Sequence, residues 1–116
     1  MGSEDGEEYQ MNDKIPEPYN RLKQNYPDFI EAYEQLGKEA KRTGPLSERD
    51  AQLIQLAAAA AIHSEGSVHS HARRAIEAGA TADEVRHALM LLVTTVGFST
   101  MAAALSWVED VIAKTE

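Results

Sequence analysis

Residues 63–71, with the sequence HSEGSVHSH, form the densest group of side chains in this chain that could do chemistry. An imidazole titrates near neutral pH and can transfer protons, a carboxylate can orient it, and hydroxyls can donate hydrogen bonds. The stretch therefore predicts an acid/base or binding site. The alternative is structural: Ser64 or Ser67 caps a helix, and the histidines are hydrogen-bonded in the interior.

The spacing within this stretch indicates which side chains act together. If a helix begins near Glu65, then Ser67 and His71 are four residues apart and share one face. Ser64 lies one turn earlier, whereas His69 points in another direction. The first N–H groups of such a helix favour an anion or a developing oxyanion.

A metal site is a weaker alternative. Its ligands would be Glu65, His69 and His71, with His63 or His87 brought in by folding. His69 and His71 are separated by about 200° around a helix, so they could not bind one ion without a break in the helix. We therefore predict no metal.

The elements that position these side chains are predicted to be helices. Apolar residues recur at spacings of three and four, and strand-like alternation is absent. Capping boxes begin at Ser47 and Thr81, and Gly79 and Gly97 end helices. The prediction is an all-α bundle of about six helices: a short one before Pro27, then 28–43, one after Ser47, 65–78, one from Thr81 through 96, and 99–113.

Composition excludes several classes of function. The chain has 116 residues, no cysteine and a net charge of −8. Thiolate chemistry is therefore impossible, and the acidic balance argues against nucleic acid or an anionic membrane as a partner. Residues 1–14 are predicted to be an acidic disordered tail and 15–116 a single domain. Because the first residues do not resemble a secretion signal, a cytoplasmic location is expected.

Residues 88–108 contain no charged side chain and are long enough to cross a bilayer. Threonines, serine and Gly97 interrupt this stretch, so we interpret it as two buried helices that meet at a turn. Alanines at 57–61 surround their predicted helix, which indicates close neighbours on several sides. Both features favour burial by other helices or by another subunit.

Arg73, Arg74, Arg86 and His87 could form a cationic rim for a carboxylated ligand. The alternative is a solvated helix face, in which these residues pair with neighbouring carboxylates and each pair contributes little stability. The second interpretation is favoured unless two of these side chains converge on the site.

The order of these motifs resembles the carboxymuconolactone decarboxylase and alkylhydroperoxidase D-like superfamily over about residues 28–113. The residues that carry the resemblance are Ser64-x-x-Ser67-x-x-x-His71, Ala78-Gly79-Ala80-Thr81, Asp83-Glu84-Val85 and Gly97. The resemblance implies an all-helical fold and an obligate homo-oligomer, either a trimer or a hexamer.

The chain departs from the peroxidase branch of that superfamily at the reactive positions. Ser64 and Ser67 stand where that branch has two redox cysteines, and Gln52 stands where it commonly has a glutamate. A hydroxyl has no sulfenic acid or disulfide state, so thiol peroxidase activity is excluded. The chain is either a natural cysteine-less member or a Cys-to-Ser inactivated form.

The decarboxylase branch needs no cysteine, so the resemblance implies acid/base chemistry without a cofactor on a small carboxylated or lactone compound. His71 would be the acid/base, Glu65 would orient it or a water, and Ser67 and His69 would donate hydrogen bonds. The predicted binding residues are His63, Ser64 and Gln52. The alternative is a ligand-binding or vestigial member without catalysis.

Overall fold

A computed structural model describes residues 17–115, which are almost entirely helical and contain no strand. The all-α prediction is confirmed, whereas the predicted acidic tail lies outside the described residues. The helices are α1 (Glu17–Asn25), α2 (Pro27–Arg42), α3 (Glu48–Ala61), α4 (Glu65–Glu77), α5 (Ala82–Met90), α6 (Val93–Val96) and α7 (Phe98–Thr115).

The chain divides into two compact units, one ending at Pro45 and the other beginning at Leu46. In the first unit, α2 starts with Pro27, whose fixed φ suits the first helical turn. The Tyr19 hydroxyl of α1 donates a hydrogen bond to the Glu34 carboxylate of α2. This bond, with a smaller contribution from the Lys23 ammonium 3.6 Å away, lowers the pKa of Glu34.

The core of the second unit lies between α3, α4, α5 and α7. Leu56, Val68, Val85, Leu89 and Val108 are all fully buried there. Small side chains let helices pack closely. Buried alanines fill further core positions on three of these helices: Ala59, Ala60, Ala72, Ala75 and Ala104.

The helices α3 and α4 form a hairpin joined by a tight connection. The N–H of His63 donates to Ala60 O and the N–H of Ser64 donates to Ala59 O, both at 3.0 Å. This pattern is a Schellman motif, which needs a left-handed residue at its centre, and His63 supplies it with a φ of 60°. Gly79 has the same role after α4, with a φ of 108°.

The fifth predicted helix was expected to run unbroken through Val96. Helical structure does end at Val96, where Gly97 with a φ of 96° separates it from α7. The expected continuity is wrong, because Leu91 and Leu92 form a turn that divides the segment into α5, which ends at Met90, and the short α6. None of the helices in residues 17–115 is long and apolar enough to span a membrane.

An ion-pair network joins α5 to α7 on the surface of the second unit. The Arg86 guanidinium binds both carboxylate oxygens of Glu109, at 2.8 and 3.0 Å, and also contacts Asp83 at 3.0 Å. Hydrogen bonds from Arg86 lower the pKa of Glu109, and those carboxylates raise the pKa of Arg86. The solvated interpretation of the basic residues is thus confirmed for Arg86.

The Glu109→Gln variant tests this network through its pH dependence. Because the folded pKa of Glu109 is depressed, its stabilisation is complete above the unfolded pKa of glutamate, about 4.3, and disappears as pH falls through the folded pKa. We expect the variant to be less stable than the parent at pH 7 and equally stable at the acidic end. Urea denaturation between pH 3 and pH 7 measures the difference. A double-mutant cycle with Arg86→Gln is the control, and a gap that is independent of pH would contradict the assignment.

Candidate active site

The centre of the site is a hydrogen bond between Gln52 of α3 and His71 of α4. Gln52 is the one polar side chain among the described residues that is completely buried. Its Oε1 lies 2.8 Å from Nδ1 of His71, and its Nε2 donates to Oε2 of Glu48, also at 2.8 Å. A buried amide with both ends engaged has little freedom to move, so it holds the imidazole in place.

The glutamate determines which tautomer His71 adopts. A carboxylate only accepts hydrogen bonds, so the amide nitrogen of Gln52 must face Glu48 and the amide oxygen must face His71. The oxygen in turn requires a donor, which places the proton on Nδ1 of His71. In the neutral ring, the basic lone pair is therefore on Nε2. This form accepts a proton at Nε2, and the imidazolium that results can deliver that proton again.

Glu48 is a site residue that sequence reasoning missed. It is the first residue of α3, where the helix dipole favours a carboxylate, and it is exposed to solvent. The preceding Ser47 caps the helix by accepting from the N–H of Asp50 at 3.0 Å. Glu48 lies four residues before Gln52, on the same face. The i,i+4 spacing was the signal in the sequence that could have linked Glu48 to Gln52. It points to a site only once Gln52 is known to be buried.

The two serines precede His71 along α4. Ser64 precedes the first residue of α4 and Ser67 is in its first turn, four residues before His71. Both serines are partly buried. Ser64 occupies the N-cap position of α4, but its side chain makes no capping hydrogen bond there.

Two contacts define one edge of the α3–α4 hairpin, which we call the polar edge. At one end of the hairpin, Gln52 is hydrogen-bonded to His71. At the other end, beside the turn, the N–H of Ser64 donates a hydrogen bond to Ala59 O. Ser64, Ser67 and His71 follow one another on α4 at spacings of three and four residues. The polar edge comprises Gln52, Gln55, Ser64, Ser67 and His71.

Two predicted catalytic residues lie on the other side of α4. The Glu65 carboxylate is 3.9 Å from Nε2 of His69, four residues later. Glu65 was expected to orient His71, but six residues on a helix correspond to about 240°, which turns the two side chains away from each other. The Nε2 atom of His69 is buried and has no hydrogen-bond partner among residues 17–115.

His63 lies at the hairpin turn rather than on the polar edge. Its side chain is exposed, and Nε2 is 3.5 Å from the hydroxyl of Thr100 on α7. His87, the other histidine considered as a ligand, is exposed on α5. Within the described part of the chain, no three histidine, aspartate or glutamate side chains are grouped in a way that could hold a metal ion.

The sequence profile of the carboxymuconolactone decarboxylase family matches residues 27–110, which is well over half of the chain. The chain belongs to the carboxymuconolactone decarboxylase family. The match includes the whole polar edge and the glycines that end α4 and α6. No curated protein and no solved structure matches the chain significantly.

The lack of cysteine limits the chemistry that the polar edge can do. Thiol peroxidase chemistry is excluded because the chain has no sulfur nucleophile at Ser64, Ser67 or elsewhere. The groups left on the polar edge are an oriented imidazole, two hydroxyls and two amides. Such a set can transfer a proton and hold an oxyanion by hydrogen bonds.

The Gln52→Met variant tests the role of the buried amide. Methionine preserves the volume but leaves the Nδ1 proton of His71 without this acceptor, so we expect a loss of about 1–3 kcal/mol in the free energy of unfolding. Urea denaturation measures the loss. Long-range nitrogen NMR of the His71 ring should also show a smaller population protonated at Nδ1 alone. Unchanged stability together with an unchanged tautomer would refute the assignment.

Proposed function

We propose that this protein is a cofactor-independent acid/base catalyst that acts on a small carboxylated or lactone compound, with His71 as the proton donor. The observation that carries the proposal is the Gln52–His71 hydrogen bond, which favours a proton on Nδ1 and so supports Nε2 as the reactive nitrogen. Family membership supports decarboxylation as the reaction type. The hydroxyl of Ser67, one turn from His71, supplies a hydrogen bond to the developing oxyanion.

The proposed step is balanced with these groups alone. The bond between the carboxylate and its neighbouring carbon breaks, CO₂ leaves, and the electron pair remains on the substrate as an enolate. The imidazolium of His71 then gives its Nε2 proton to that carbon, which leaves a neutral ring protonated at Nδ1. That product is the tautomer favoured by Gln52, so catalysis requires no rearrangement of the buried amide.

An amide at position 52 suits a proton donor. A carboxylate beside Nδ1 would stabilise the imidazolium and weaken it as an acid, whereas an amide accepts the same hydrogen bond without a negative charge. The nearest carboxylate in this chain of contacts, Glu48, lies beyond the amide. Gln52 thus orients His71 and leaves it able to release its proton.

Two variants test the assignment of His71. We expect His71→Gln to remove turnover by a factor of about 10²–10⁴ and to leave the fold intact. Gln52→Glu should raise the pKa of His71, so the fall in activity at high pH should move to higher pH. The assay is CO₂ release from a panel of lactone carboxylates and 2-substituted small acids. Turnover that survives in His71→Gln would rule out this mechanism.

The same assay distinguishes a non-catalytic member of the family. Such a protein would bind acids from the panel but would release no CO₂ at any pH between 5 and 9. His71→Gln would then change affinity alone, because the imidazole would contribute only a hydrogen bond.

We also propose that the protein assembles as a homo-oligomer, a trimer or a hexamer. Two exposed apolar stripes support this: Phe29, Tyr33 and Leu36 on α2, and Ile54 and Ala58 on α3 with Ile62 directly after its last residue. Ile62 and Leu36 are 74% and 68% exposed, which is unusual for large apolar side chains at regular helical spacing.

Ile54→Glu tests the oligomer, because a charge in this stripe would be costly to bury in a contact between subunits. We expect the variant to shift from three or six subunits to a smaller species in light scattering coupled to size exclusion. Ser106→Glu, at an exposed position of α7, is the control and should keep the parent mass. A monomeric parent protein would disprove the proposal.

A further inference from the structure

Gln55 carries a polar atom that the protein itself does not satisfy. Its Oε1 is buried and has no hydrogen-bond partner among residues 17–115. Buried carbonyl oxygens in folded proteins are nearly always hydrogen-bonded, because an unpaired one loses its interaction with water and gains nothing in return. An acceptor left in this state points to a donor that comes from outside the chain.

The position of Gln55 is set by contacts on either side of it. On α3 it lies three residues after Gln52, which meets His71, and four residues before Ala59, whose carbonyl meets Ser64. The two helices run in opposite directions along this edge. Gln55 is therefore level with the middle of the Ser64–His71 segment, where Ser67 stands.

Gln52 and Gln55 occupy neighbouring turns of α3 but differ in their partners. The amide of Gln52 is bonded at both ends within the protein, which is the expected state of a structural glutamine in an apolar core. The oxygen of Gln55 has no such bond. An apolar side chain at position 55 would pack without leaving a buried oxygen unpaired, so packing does not explain the amide of Gln55.

We propose that Gln55 is a specificity residue whose Oε1 accepts a hydrogen bond from a hydroxyl group of the substrate. This inference rests on the proposed function and narrows its substrate class to hydroxylated carboxylic acids. A carboxylate, a lactone carbonyl and a ring oxygen are acceptors only, so none of them can pair with Oε1. A hydroxyl held by Gln55 lies beside Ser67, within the same row that ends at His71.

The first experiment compares two identical substitutions one turn apart. Gln55→Met removes an unpaired oxygen, so we expect the urea midpoint to stay the same or rise. Gln52→Met, the matched control, removes a fully bonded amide and should lower the midpoint. If Gln55→Met lowers the midpoint as much as Gln52→Met does, then Oε1 has a structural partner, such as a bound water, and the proposal is wrong.

The second experiment measures which acids bind. The probes are pairs with the same carbon skeleton, malate against succinate and 3-hydroxybutyrate against butyrate, titrated into the full chain and followed by amide NMR shifts. We expect the hydroxylated member of at least one pair to bind about fivefold more tightly, with a shift of the Gln55 side-chain amide. In Gln55→Met that preference should disappear.

The outcomes separate this inference from the proposed function. Equal binding within every pair, absence of binding by all four acids, or a preference that persists in Gln55→Met would each overturn the role of Gln55. None of these measurements depends on turnover. A hydroxyl preference that depends on Gln55, in a protein whose CO₂ release is unaffected by His71→Gln, would support this inference and refute the acid/base proposal.

Discussion

The arrangement of the polar edge depends on one buried amide. Gln52 links an exposed carboxylate at the start of α3 to an imidazole on α4, and it does so with no exposed surface of its own. Because its two ends differ, it can bind in only one orientation, and that orientation decides where His71 carries its proton. An apolar residue at this position would remove the acceptor that favours the proton on Nδ1 of His71.

Close packing of α3 against α4 makes this contact possible. Ala59 and Ala60 on α3 and Ala72 and Ala75 on α4 are buried, and their small side chains allow a short distance between the helices. The tight turn at His63 then sets the register of the pair. Histidine is uncommon at a backbone position with a positive φ, and in the corresponding turn after α4 this position is occupied by Gly79.

The sequence predicted the fold better than it predicted the site, for physical reasons. The reciprocal capping box of Thr81 and Glu84 and the left-handed Gly79 are local signals, and both occur as expected. The turn at Leu91 and Leu92 has no such local signal, because leucine favours helices, so the end of α5 at Met90 was not predicted. The Gln52–His71 contact joins residues 19 apart on two different helices, so helical spacing alone cannot predict it. The pairing of Glu65 with His69, by contrast, has the i,i+4 spacing of neighbours on one helix face.

Hydrogen bonds link Glu48, Gln52 and His71 in a continuous chain, but this chain does not conduct protons. An amide can accept one hydrogen bond and donate another, yet its nitrogen does not release a proton near neutral pH, so no proton passes from the surface carboxylate to the ring. The Nδ1 atom of His71 therefore exchanges no proton with the surface carboxylate along this path. If His71 is the proposed proton donor, the proton that it gives up at Nε2 cannot be replaced through the buried amide.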